Sequence, residues 1–156
     1  MGNTPILRLL RLEKTLSLRA EIYAKLEYFN PFGSVKDRTA KSMLDHAEKT
    51  GVFKKGGTII EPTSGNTGIS LAGLGVARGY QVMIVMPENF SLERQKLILS
   101  YGAKLVLTDP KGGMQGAIER AKELAKEQKN AVILDQFTNP ANPKAHEQTG
   151  AEIYAD

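Results

Sequence analysis

Four short apolar runs punctuate the middle of the chain: Thr58-Ile59-Ile60, Val82-Met83-Ile84-Val85-Met86, Leu105-Val106-Leu107 and Ala131-Val132-Ile133-Leu134, each followed by turn residues. Runs of this length without polar alternation are the mark of strands covered on both faces, and they predict neighbours in a parallel sheet. Between them the period becomes helical. Ala117, Ile118, Ala121, Leu124 and Ala125 share one face while Glu119, Arg120, Lys122, Glu123, Lys126 and Glu127 take the other, which places a helix on the outside of the sheet. The segment Ile69 to Ala77 is apolar nearly all round and contains Gly73 and Gly75. Each glycine costs about 1 kcal/mol against alanine inside a helix, so close packing is the expected reason for them. Ser91 opens another helix that runs to Tyr101 and stops at Gly102. Because strand-helix-strand crossovers are right-handed, the expected architecture is α/β: an open three-layer parallel sheet with helices on both faces and a crevice at the strand C-terminal ends.

The two ends of the chain read differently. Strand-like Ile6 to Leu9 and Ala20 to Leu26 precede a turn at Asn30-Pro31-Phe32-Gly33. Asn139-Pro140-Ala141-Asn142-Pro143 forms a turn-rich connection, and Lys144 to Asp156 reads as a helix that stops without a capping signal, so a truncated chain is expected. At 156 residues there is room for one domain, and 41% hydrophobic with 24% charged residues excludes disorder. The 21 basic and 17 acidic side chains alternate instead of clustering, which argues for solubility and against nucleic-acid binding. With no cysteine, disulfide frameworks, thiolate metal sites and cysteine nucleophiles are excluded. No window reaches the roughly 18 apolar residues of a bilayer span. Met1 to Pro5 carry neither a charged leader nor an apolar signal core, so no membrane partner is expected and the default address is cytoplasmic.

Two stretches could carry chemistry. In Asn30-Pro31-Phe32-Gly33-Ser34-Val35-Lys36-Asp37-Arg38, Ser34 followed by Asp37 approximates a capping box, so a helix should begin there with Lys36 in its first turn. The positive end of the helix dipole disfavours a second cation, Arg38 adds to it, and a neutral amine able to attack a carbonyl becomes more accessible. The same pattern also suits an ordinary solvated lysine. In Glu61-Pro62-Thr63-Ser64-Gly65-Asn66-Thr67-Gly68, a hydroxyl- and glycine-rich loop leads from a strand into a helix, where free backbone N–H groups receive a carboxylate or phosphate. It lacks the Gly-Lys-Ser/Thr of a Walker loop and the first glycine of a dinucleotide fingerprint. Ordinary capping hydroxyls would equally explain it. Gly112-Gly113 reads as a turn. His46 and His146 have no partner at metal-ligand spacing, so no metal site is expected. Gln136 ends a strand at the same sheet edge as the Ser64 loop.

Taken with Gly2-Asn3-Thr4-Pro5, Lys25-Leu26-Glu27, Met86-Pro87-Glu88, Ser91-Leu92-Glu93-Arg94 and the run from Gln136 to Pro143, these stretches resemble the cysteine synthase and cystathionine β-synthase family of pyridoxal-phosphate enzymes, in their N-terminal half. The resemblance implies the fold of the tryptophan synthase β-like group. It implies that Lys36 forms a Schiff base with pyridoxal 5'-phosphate and moves the substrate α-proton. It assigns Asn66 to the cofactor ring's 3-oxygen, and Thr63, Ser64, Gly65, Asn66, Thr67 and Gln136 to substrate binding. The implied reaction is β-replacement on O-acetylserine or a related O-activated serine, through an aminoacrylate, with sulfide as nucleophile. Cystathionine β-synthase chemistry and a truncated, non-catalytic binding module are the alternatives.

The family pattern further implies residues 1–29 as strands of a larger domain, 30–140 as a small movable domain and 141–156 as the return to the larger one. Family chains are about twice this length, and their later half supplies the loop for the cofactor phosphate. A homodimer is implied for the longer protein.

Overall fold

The computed structural model describes residues 1–156. A parallel sheet of β3 (Thr58–Pro62), β4 (Gln81–Pro87), β5 (Lys104–Thr108) and β6 (Ala131–Ile133) has the order β5-β4-β3-β6, with Ile60 beside Met83 on one side and Ile133 on the other. Helices α3 (Asn66–Ala77), α4 (Leu92–Ser100) and α5 (Gly113–Glu127) fill the crossovers. Successive side chains of a strand point to opposite faces, and both faces are covered. Ile59, Val82, Ile84 and Met86 pack with Leu71 and Ala72 of α3 and with Met43 and Leu44 of α2 (Lys36–Thr50); Ile60 and Val85 pack against Ala117, Ala121 and Leu124 of α5. Each fully buried leucine, isoleucine or methionine here contributes about 1.5–3 kcal/mol. The expected open three-layer α/β arrangement is the observed one. No helix is long and apolar enough to cross a membrane.

The α3 glycines do serve close packing. A Cβ on Gly73 would overlap the Phe32 ring, and one on Gly75 would lie 2.6 Å from Cγ2 of Val82 on the central strand. Val82 is β-branched, 2% exposed and held in the sheet, so it has no room to retreat. Gly75→Ala is therefore expected to lower the free energy of unfolding by about 2 kcal/mol despite the better helix propensity of alanine, measured by urea denaturation. A stabilised variant would contradict this packing argument.

At the N-terminus, β1 (Ile6–Arg8) pairs antiparallel with β2 (Tyr23–Lys25). The second strand is shorter than the expected Ala20 to Leu26 because the Ile22 N–H is taken by the Glu13 carboxylate at 2.7 Å. Glu13 lies in α1 (Leu10–Thr15), a six-residue helix that the sequence pattern missed: it has no side-chain cap, and Leu10 and Leu12 are exposed instead of marking a buried face. Two helix starts also differ. Ser34 Oγ accepts from the Lys36 N–H at 3.1 Å, while Asp37 reaches back to the Phe32 N–H at 2.7 Å, so the reciprocal capping box does not form, although Lys36 does open the helix. The final helix, α6 (Ala141–Ala155), begins three residues before the expected Lys144. Asn139 Oδ1 accepts from the Ala141 N–H at 3.0 Å, and Pro143 fits in a first turn whose N–H groups have no helical acceptor.

Candidate active site

The strand ends put the two chemical stretches face to face. β3 leaves the sheet at Pro62, Thr63 Oγ1 accepts from the Gly65 N–H at 3.3 Å, and α3 starts at Asn66. The first N–H groups of that helix have no intrahelical acceptor and form the positive end of its dipole. Beyond Gly65 a Cβ would meet nothing within 4 Å, so the loop opens on free space. That space is a cavity of about 660 Å³ lined by Lys36, residues 63–67 and Gln136, which means that every residue expected to act at the site is gathered there.

Packing of α2 on α3 makes this possible. The buried Asp37 carboxylate accepts from the Ser70 hydroxyl at 2.5 Å as well as from Phe32, and Ser70 lies one turn after Asn66. Burial pushes the Asp37 carboxyl up, against the effect of these two donors. Its neighbour Lys36, half-buried, faces the cavity and enters none of the chain's ion pairs. Gln136 is fixed from two sides: its Oε1 accepts from the Thr67 hydroxyl at 2.6 Å, and its backbone carbonyl accepts from Asn142 Nδ2 at 2.8 Å. Asn142 Oδ1 in turn accepts from Thr39 of α2 at 3.0 Å.

Arg38 departs from expectation. It does not add field at Lys36 but points away into a buried network, with Nε 2.8 Å from Glu27 and Nη2 2.6 Å from Glu152. Two paired carboxylates cancel its charge. His46 and His146 belong to no cluster of metal-ligating side chains. The sequence reading also missed Glu61, Arg94 and the α5 wall of Met114, Ile118 and Lys122, which line the same cavity. Glu61 had a signal, a carboxylate closing an otherwise apolar strand. Arg94 stood only as the last residue of the Ser91–Arg94 stretch, with no role attached, and the α5 wall had no signal, since these side chains reach the cavity only through the crossover packing.

The cavity thus places an amine opposite a hydroxyl-lined, N–H-rich pocket suited to an anion, at the C-terminal edge of a parallel sheet. Over residues 1–156 the chain matches the family of pyridoxal-phosphate dependent enzymes, and it belongs to that family. A cysteine synthase of Flavobacterium is 50% identical over 157 residues, covering 100% of this chain and 50% of that protein. The crystal structure of a cysteine synthase from Entamoeba histolytica matches with a TM-score of 0.94 and 43% identity, over 100% of this chain and 47% of that one. An O-ureido-L-serine synthase matches with a TM-score of 0.90 and 48% identity, over 99% of this chain and 48% of that one. The chain thus spans about half the length of the relatives it matches.

Proposed function

We propose that this chain carries the lysine and the substrate grip of a pyridoxal-phosphate-dependent β-replacement enzyme that makes L-cysteine from O-acetylserine, or a related O-activated serine, and sulfide. The observation that carries the reading is the meeting of Lys36, the 63–67 loop and Gln136 in one cavity. The donor set fits the cofactor: an amine for its aldehyde, and the amide of Asn66 for its ring 3-oxygen. When bound, pyridoxal phosphate supplies the electron sink for charge developing at the substrate Cα.

Lys36 would hold the cofactor and then move the proton at Cα, one side chain acting in turn as anchor and base. Thr63, Ser64, Gly65, Asn66 and Thr67, with Gln136, orient the amino acid through its carboxylate, which sets the Cα–H bond toward Lys36. In this reading residues 30–140 are the small movable domain, which closes to keep water out, while 1–29 and 141–156 belong to the larger one. Support comes from the core, since the parallel sheet and α2 to α5 all lie between residues 36 and 133. The reading includes a homodimer in the cytoplasm. Exposed Leu7, Leu10, Leu12 and Leu16 offer an apolar surface for further protein contact, and mixed surface charge suits a soluble compartment.

Borohydride reduction of the chain in the presence of pyridoxal phosphate is expected to fix the label on Lys36, as read by peptide mass mapping. Label spread evenly over the surface lysines would overturn the assignment.

A further inference from the structure

Glu61 closes β3 at the cavity wall, and only 1% of its surface is exposed. Its carboxylate receives the backbone N–H groups of three consecutive residues leaving β6: Leu134 at 3.1 Å and Asp135 at 3.0 Å on Oε2, and Gln136 at 3.1 Å on Oε1. Successive N–H groups converge in this way around an anion where the chain makes a concave nest. Here Asp135 has φ +50°, a left-handed conformation that a non-glycine residue keeps only when its surroundings hold it. Glu61 is the anion that fills the nest. From there the line continues through the Gln136 side chain to the Thr67 hydroxyl in the first turn of α3, 2.6 Å away.

We propose that Glu61 is a positioning residue for the substrate carboxylate: by filling the nest at residues 134–136 it aims Gln136 at Thr67 and presets the grip. The inference rests on the carboxylate-binding reading above and adds the residue that builds that site. A charged acceptor suits three donors, whereas a protonated carboxyl turns an O–H toward one of them. Burial, the largest influence, pushes the Glu61 carboxyl up to about 7 against the pull of those N–H groups, and the charge of Asp135 adds to the rise. Lys36 on α2, Arg94 on α4 and Lys122 on α5 face the same cavity, while the paired residue on β4, Ile84, carries no charge. Because the folded-state value is raised, Glu61 takes up a proton as pH falls through about 7, and the grip should loosen on the acid side.

The test is amide NMR of the 156-residue chain across this range, alone and with L-serine, whose carboxylate and ammonium keep their charges there. The amides of Leu134, Asp135 and Gln136 are expected to titrate together near pH 7. L-serine is expected to shift the amides of residues 64–67, with an affinity about tenfold weaker on the acid side, the size of one charge-assisted hydrogen bond. Glu61→Gln, which points an amide N–H at the nest, should bind with the weaker affinity at every pH. The wild-type series needs no variant, so the proposal stays testable even if Glu61→Gln does not fold. If L-serine moves no amide of the loop at any pH, the carboxylate site fails and this inference falls with it. If the loop responds but affinity is flat or rises toward acid, the role of Glu61 is overturned while the site stands.

Discussion

Replacing Arg38 by methionine is expected to lower the free energy of unfolding by about 3–5 kcal/mol at neutral pH, because it leaves two largely covered carboxylates short of a cation, Glu27 with none and Glu152 with Lys25 only. The guanidinium is 3% exposed and joins three parts of the chain: α2, which bears it, Glu27 after β2, and Glu152 near the end of α6. Thr4 donates its hydroxyl to Glu27 at 2.7 Å, and Lys25 lies 3.3 Å from Glu152, so the network also ties the N-terminal pair of strands to the helices. Methionine matches much of the volume but none of the donors. Glu152 would keep Lys25 as its one cation, with Gln148 and the Asn3 N–H as neutral donors, and Glu27 would keep only the neutral donors Thr4 and Asn30.

The pH dependence of that loss carries a sign. The Arg38 hydrogen bonds hold the Glu152 carboxyl far below its usual range, and Glu27 is also lowered, since Arg38, Thr4 and Asn30 outweigh the upward push of its burial. A lowered folded-state value gives stabilisation that is present above the ordinary carboxylate range and lost as pH falls below it. Without Arg38 both carboxyls shift upward, so the gap between variant and wild type should narrow in acid. Urea unfolding at several pH values measures this. A neutral-pH difference under about 1 kcal/mol would mean that the network is surface-like in strength.

If Lys36 is both anchor and proton carrier, as proposed, Lys36→Ala is expected to abolish cofactor labelling at that position and to reduce β-replacement turnover by about a thousandfold or more. Lys36→Arg should not restore it. Arginine keeps the positive charge, but its guanidinium neither forms the imine nor gives up a proton readily. Stability should change little in either variant, because Lys36 makes no ion pair and is only half-buried. Binding of an amino-acid carboxylate to residues 63–67 should survive the alanine change, since that loop is held by Thr63 and by Gln136. Full turnover in Lys36→Ala would move the chemistry to another residue.

These two neighbouring side chains show how far local pattern reaches. Lys36 and Arg38 sit two positions apart in one motif, and the same first-turn argument covered both. Lys36 turned out to face the cavity. Arg38 lies on the opposite side of the helix, where Glu27 and Glu152 meet it from 11 positions upstream and 114 downstream. A helix advances about 100° per residue, so a separation of two puts side chains on nearly opposite faces. Which face is functional depends on what packs there.

The sequence alone determined the alternation of buried strands and crossover helices, the loop between β3 and α3, the lysine at the start of α2, and the family they jointly resemble. Those features come from hydrophobic period and turn chemistry, which act over a few residues. Tertiary structure decided that Lys36, the 63–67 loop and Gln136 share one cavity, that Arg38 is a tether and not an activator, and that Glu61 is the carboxylate filling the nest behind Gln136. Each of those outcomes is a contact between residues far apart along the chain. Such contacts form only once α2 packs on α3 and β6 takes its place beside β3, and no local preference encodes that arrangement.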